Sequence, residues 1–192
     1  YQCDWSSDVC SSDLQDPLLV VALDLEAGEL GDRLPLLITG VGKVRAAIAV
    51  ASLLAEAKPA CIVNIGTAGG LRRGLDGVHE IGTVMQHDFA DEAIQRTTGE
   101  SFGPPIVLGH GLTLATGDVF VQGGPTRDHL EQVADLVDME GYAVAAAAQA
   151  AAVPVRMVKL VSNEADQHAL SSLVDSVRDH ARNLAHWVDT HL

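Results

Sequence analysis

The chain has 192 residues, 47% of them apolar, and a formal net charge of −14. That is enough apolar content for one core, and too acidic a balance for nucleic acid or an anionic membrane, both of which need a basic face. No apolar run reaches the roughly 18 residues of a membrane span, and the absence of HxxxH, HExxH and CxxC spacings argues against a metal. Cys3 and Cys10 fall in the first fourteen residues, which leaves Cys61 as a lone thiol in a predicted strand and suggests a reducing cytoplasm.

Residues 1–14, YQCDWSSDVCSSDL, lack any helical or strand period and any signal-peptide plan; they read as a non-native or disordered leader to a single domain over 15–192. From Asp16 onward, short β-rich runs alternate with helical patterns, which predicts an α/β fold with a mostly parallel or mixed sheet. Residues 18–23 predict the first strand and 34–39 the second, which ends in Gly40-Val41-Gly42-Lys43. A helix is predicted from Lys43 to about Ala57, with Val44, Ala47, Ile48, Ala51 and Leu54 on its inward face. Residues 60–65 predict a central strand running into a glycine turn at 66–70. Further strands are predicted at 82–85 and 112–115, separated by a loop with a short helix. Residues 127–136 read as helix, 144–152 as an alanine-rich helix and 153–161 as the last strand. The closing helix spans Leu170 to about Asp189, with Leu173, Val177, Leu184 and Val188 inward.

Candidate functional groups gather where these strands end. Glu26, the two glycine turns, Phe120, Glu140 and Asn163 each follow a strand or a short loop beyond one, and in open α/β sheets the crevice outside the strand carboxyl ends is the usual ligand site. The glycine turns look like phosphate cradles, but neither has P-loop spacing; glycine there serves close ligand approach or only a tight turn. In Val137-Asp138-Met139-Glu140-Gly141-Tyr142-Ala143 a carboxylate stands at the mouth of a helix. Burying it unpaired is costly. Glu140 is therefore read as an acceptor for a ligand's vicinal hydroxyls, with Met139 as an apolar surface beside them. The alternative is a glutamate that only complements the helix N-terminus.

Taken in order, ALDLE, TGVGKVRAAIAVASLL, VNIGTAGGL, TGDVFV, VDMEGYAVAAAA and VKLVSNEAD resemble the purine nucleosidase and nucleoside phosphorylase superfamily, most closely the methylthioadenosine/S-adenosylhomocysteine nucleosidases. The resemblance implies a three-layer α/β sandwich, a homodimer, a small-molecule nucleoside as substrate, and chemistry with no cofactor. It also implies roles. Glu26 would activate the attacking water as general base, and Glu140 would bind the 2′ and 3′ hydroxyls of the ribose. Val41, Thr67 and Gly69 would line the sugar, and Met139 would pack on it. Phe120 would stack on the base, Val121 would meet it through its backbone, and Ser162 and Asn163 would face its N7 edge. Cleaving an N-glycosidic bond builds oxocarbenium character on the ribose and negative charge on the base, so a carboxylate near the first and a donor near the second are the residue types required.

The chain departs from that pattern in several places. Asn163 stands where adenine-releasing relatives carry an aspartate, and asparagine there is familiar from relatives that release 6-oxopurines, such as futalosine hydrolases. Asp166 or a water is the alternative proton source for adenine. The arginines that phosphorylase relatives use for phosphate are missing from the loops after the first and third strands, Glu26 would repel that anion, and Arg72 and Arg73 are expected to face solvent, so hydrolysis is expected. Lys159 replaces a frequent arginine and is expected to contact neighbouring acids. The segment between Glu26 and Gly40 is short, which predicts a sheet trimmed at one edge. Phe102, Pro104 and Pro105 form either a loop donated to a neighbouring subunit or an ordinary surface loop, and His87 is expected to be structural. The rival readings are a futalosine hydrolase-like enzyme or phosphorylase, and a catalytically inactive nucleoside-binding protein.

Overall fold

The structure, a computed structural model, describes residues 16–31, 34–165 and 169–192, with side chains described from residue 179 onward in the last stretch. The expected leader, Asp166, and the inward placement of Leu173 and Val177 lie outside the described residues.

Among the described residues, eight strands form one mixed sheet. They are β1 (Leu18–Val21), β2 (Leu36–Ile38), β3 (Ile62–Gly70), β4 (Val78–Gln86), β5 (Ile106–Val107), β6 (Leu112–Thr116), β7 (Leu136–Asp138) and β8 (Val155–Asn163). The order is β2-β1-β3-β7-β6-β4-β5, with β8 paired to both β3 and β4. β2, β1, β3 and β8 run parallel, while β8 meets β4 antiparallel. β2 has three residues and sits at the edge, in keeping with the short connection that leads to it.

Helices cover both faces, which is why a strand such as β1, LLVV, is buried at every residue. On one face α2 (Lys43–Glu56) and α5 (Gly141–Ala150) pack through Ala46, Val50, Ala143, Val144 and Ala148 over Leu18, Val20 and Ile62. On the other, α6 (Ala169–His191) lays Leu184, Ala185, Trp187 and Val188 on Leu19, Val21, Val63 and Ile65. The remaining helices are short: α1 (Asp24–Ala27), α3 (Asp91–Thr98) and α4 (Gly124–Leu130). Among the described residues no helix is long and apolar enough to cross a membrane.

Three sequence expectations need correction. On α2 the expected Ala47 and Leu54 pack on the core beside the fully buried Ala46 and Val50, whereas Val44 and Ile48 are 68% and 62% exposed and Ala51 is exposed as well. The helix is apolar nearly all round, so its periodicity does not single out one face. Residues 66–70 are not a turn but the end of β3: Gly66, Gly69 and Gly70 keep extended backbones, and glycine is needed there because side chains press on them from above. The helix expected over 127–136 ends at Leu130, and Leu136 instead opens β7, which completes a parallel ladder with β6 after Asp135 accepts the Thr113 N–H.

Candidate active site

A cleft of about 210 Å³ opens at the carboxyl ends of β1, β3, β6, β7 and β8. Its lining brings together every residue singled out for the site: Glu26, Val41, Thr67, Gly69, Phe120, Val121, Met139, Glu140, Ser162 and Asn163. Asp138, Val119 and Ala165 are among the lining residues that sequence reasoning missed, and each adjoins or nearly adjoins one it found.

Glu26 rises from α1, just past the end of β1, and turns back over the strand ends. Its Oε2 accepts the N–H groups of Ala22 (3.2 Å) and Leu23 (3.1 Å). Its Oε1 accepts the Thr67 N–H (2.8 Å) and hydroxyl (3.0 Å). A Cβ on Gly66 would stand 3.1 Å from that Oε1, so the glycine in GTAGG makes room for the carboxylate.

Glu140 caps the start of α5. Its Oε1 accepts the Gly42 N–H at 2.8 Å, and the next amide of α2, Lys43 N–H, donates to Asp118 Oδ1 at 2.8 Å. The GVGK turn therefore directs its amides at the protein's own carboxylates. Gly42 adopts φ 98°, a left-handed conformation that favours glycine. Burial first, and then the neighbouring Asp138, push the Glu140 carboxyl up to about 7, against the Gly42 N–H and Lys159, which pull it down.

Beneath these groups lies a buried ion pair. Lys159 Nζ donates to Asp138 Oδ2 at 3.0 Å, with side-chain exposures of 3% and 1%. Asp138 also accepts the Thr116 hydroxyl (2.6 Å) and the Gly141 N–H (2.9 Å), so its acceptor capacity is well used. Burial works against the Lys159 charge, but Asp138 and then Glu140 outweigh it and hold the ammonium above the usual lysine range. A lysine in the middle of VKLV was the sequence signal for this pair, as buried charge demands a partner.

At the far end, Asn163 Oδ1 accepts the Ala165 N–H at 2.9 Å and Asn163 Nδ2 donates to Ser162 Oγ at 2.9 Å. An N–H can only donate, so the atom facing Ala165 is the amide oxygen, and the NH₂ keeps one hydrogen beyond the Ser162 bond. Ser162 is the extra residue of a β-bulge: the β3–β8 register passes from Ala68 opposite Val161 to Gly69 opposite Asn163.

The cations are engaged elsewhere. Lys43 Nζ binds Asp88 and Gln86, Arg72 pairs with Asp135, and Arg127 bonds Leu71, Glu164 and Glu131; among the described residues no arginine or lysine lines the cleft. His87 packs on Gly117 outside the lining, as expected of a structural histidine, and burial pulls its pKa down.

A family model described as the phosphorylase superfamily matches residues 17–107 and 84–190. A 5′-methylthioadenosine/S-adenosylhomocysteine nucleosidase of Haemophilus influenzae is 29% identical over 174 residues, covering 74% of this chain and 73% of its own length. The enzyme of that name from Haemophilus ducreyi is 30% identical over 159 residues, covering 69% and 68%. Among solved structures, a mutant of Helicobacter pylori MTAN with 5′-methylthioadenosine in its active site superposes with a TM-score of 0.79 at 20% identity, covering 92% of this chain and 97% of its own. A mutant of Helicobacter pylori futalosine hydrolase gives 0.77 at 20% identity with the same coverage, so both share the fold. With the family model spanning nearly all of its length, the chain belongs to the phosphorylase superfamily.

Proposed function

We propose that this chain is a purine nucleosidase, hydrolysing the N-ribosidic bond of a nucleoside of the 5′-methylthioadenosine or S-adenosylhomocysteine type to free base and ribose derivative. The observation that carries this reading is a pair of buried carboxylates, Glu26 and Glu140, on one cleft whose lining, among the described residues, holds no arginine or lysine. Glu140 accepts the 2′ and 3′ hydroxyls and its charge favours the oxocarbenium-like sugar. As the Thr67 hydroxyl turns aside to free a lone pair on Oε1, Glu26 takes a proton from water while the water oxygen bonds to C1′. The C1′–N9 electron pair leaves with the base, which accepts a hydrogen bond from the Asn163 amide and takes its proton from solvent. Phosphate as nucleophile would bring its double charge beside Glu26 with no cation among the described lining residues, which favours water.

A second reading rests on Asn163. Its oxygen is engaged by Ala165, so it offers the base a donor of fixed polarity and no proton. That suits a 6-oxopurine with acceptors at N7 and O6, as in a futalosine hydrolase-like enzyme.

The reading includes a homodimer. Val41 and Val119 at the mouth of the cleft are 44% and 58% exposed, and they continue into the exposed Val44 and Ile48 of α2, an apolar surface suited to a second copy. The loop carrying Phe102 is stapled in place by Asp91, which accepts the Ser101 hydroxyl and the Phe102 and Gly103 N–H groups, and that fits it to enter a neighbouring subunit.

Glu26→Gln tests the proposal. Base release from 5′-methylthioadenosine or inosine is expected to fall roughly 10²–10⁴-fold, the usual worth of a general base. Ligand binding by thermal shift with no base release from the wild type would instead identify an inactive binding protein.

A further inference from the structure

Arg127 lies on α4 outside the cleft lining, yet it joins two strand ends that shape the cleft. Its Nη2 donates to Leu71 O at 2.9 Å, directly after β3, and its Nε to Glu164 O at 3.0 Å, directly after β8. Nη1 is engaged by Glu131 at 2.8 Å, and the side chain is only 15% exposed. The two carbonyls flank the place where the Ser162 bulge throws β3 and β8 out of register.

The turn that follows needs such a brace. Ala165 holds φ 49°, a left-handed conformation uncommon for alanine, and is 1% exposed against Gly69, where an added Cβ would stand 3.0 Å from its own. Asn163 Oδ1 grips the turn from inside through the Ala165 N–H, and Arg127 grips it from outside through the Glu164 carbonyl. Leu71, Val121, Leu130 and Ala165 share one apolar cluster, so this corner also backs the base-facing Val121. The planar guanidinium donates to two carbonyls and a carboxylate at once in fixed directions, which a single ammonium nitrogen does not reproduce.

We propose that Arg127 is a positioning residue for the base-binding side of the cleft: by bridging Leu71 and Glu164 it fixes the 163–165 turn so that the Asn163 amide presents its N–H to the departing base. This rests on the nucleosidase reading above.

The test is a double-mutant cycle on base release from 5′-methylthioadenosine and inosine. Arg127→Met is expected to lower kcat/KM by roughly 10–10²-fold, mostly in kcat, the scale of a ~1 Å misplacement. In an Asn163→Ala background the same change is expected to cost nothing further, because its target is already gone. Arg127→Lys, which keeps the charge without the fork, falls between, and it carries the test if the methionine variant does not fold. Glu131→Gln leaves the rate unchanged. An unaffected Arg127→Met, or a full loss that persists without Asn163, overturns the proposal. A wild type that releases no base from either nucleoside overturns the nucleosidase reading and the proposal with it.

Discussion

Glu26 and Glu140 face the same cleft and are almost equally buried, 6% and 8% exposed, in opposite surroundings. Glu26 accepts four hydrogen bonds, two on each oxygen, from the ends of β1 and β3. Glu140 accepts one, from Gly42, and stands beside Asp138, which together with burial pushes its carboxyl up to about 7. The difference teaches how one fold gives two carboxylates different work. Donors fixed by backbone hold Glu26 in one place, where it can aim a water. Glu140 Oε2 has no hydrogen bond among the described residues, and in the proposed reading that spare capacity takes the ligand's hydroxyls.

Removing the second partner of this contrast is expected to have the largest effect. Glu140→Gln should lower kcat/KM for a purine ribonucleoside by roughly 10²–10⁴-fold, since two bonds to a charged acceptor are worth about 1.5–3 kcal/mol each. The corresponding 2′-deoxynucleoside should lose less from the same substitution, and equal losses would contradict the hydroxyl contact. At the opposite end of the cleft, Asn163→Asp is expected to raise release of adenine from 5′-methylthioadenosine by about 10–10²-fold, the low range of an acid's contribution. An unchanged or lower rate counts against a leaving-group role.

The titration of Glu140 sharpens the comparison further. Four groups act on it: Asp138 and Glu26 push its carboxyl up, while Lys159 and the Gly42 N–H pull it down. Its folded value, about 7, lies above its ordinary 4.5, so the folded state binds the proton more tightly. The stability this contributes is present below pH 4.5 and is lost as pH rises towards 7. Diol binding needs the carboxylate, so kcat/KM is expected to rise with pH through the same region. Lys159→Met should move that limb to higher pH, and a limb that does not move would separate Lys159 from Glu140. The smallest effect is expected at the surface: Ile48→Asp should leave monomer stability within about 0.5 kcal/mol while shifting a dimer to monomer in sedimentation.

The candidate site was legible in the sequence because its residues sit in short motifs placed just beyond strands, with Val41, Thr67, Gly69, Val121 and Ser162 legible only through the family resemblance of those motifs. Glu140 stands out in VDMEG and Glu26 in ALDLE, and both reach the cleft. What holds them in place was less legible. The Glu140 contact spans 98 positions to Gly42, and the Glu26 contact spans 41 to Thr67, and no local pattern encodes such pairs. The glycines of GTAGG illustrate the same limit. They read as a turn, yet they are strand residues kept bare by Glu26, Asn163 and Ala165, which approach from elsewhere in the chain. The face of α2 was partly misread for a different reason, since an almost wholly apolar helix gives no period to follow.

The most direct test of water as nucleophile is the rate of base release from 5′-methylthioadenosine by the wild-type protein, measured by chromatography without phosphate and with phosphate added. A lining with no cation among the described residues predicts the same rate in both and a reducing sugar as the second product. Release that requires phosphate and yields a sugar 1-phosphate would contradict it.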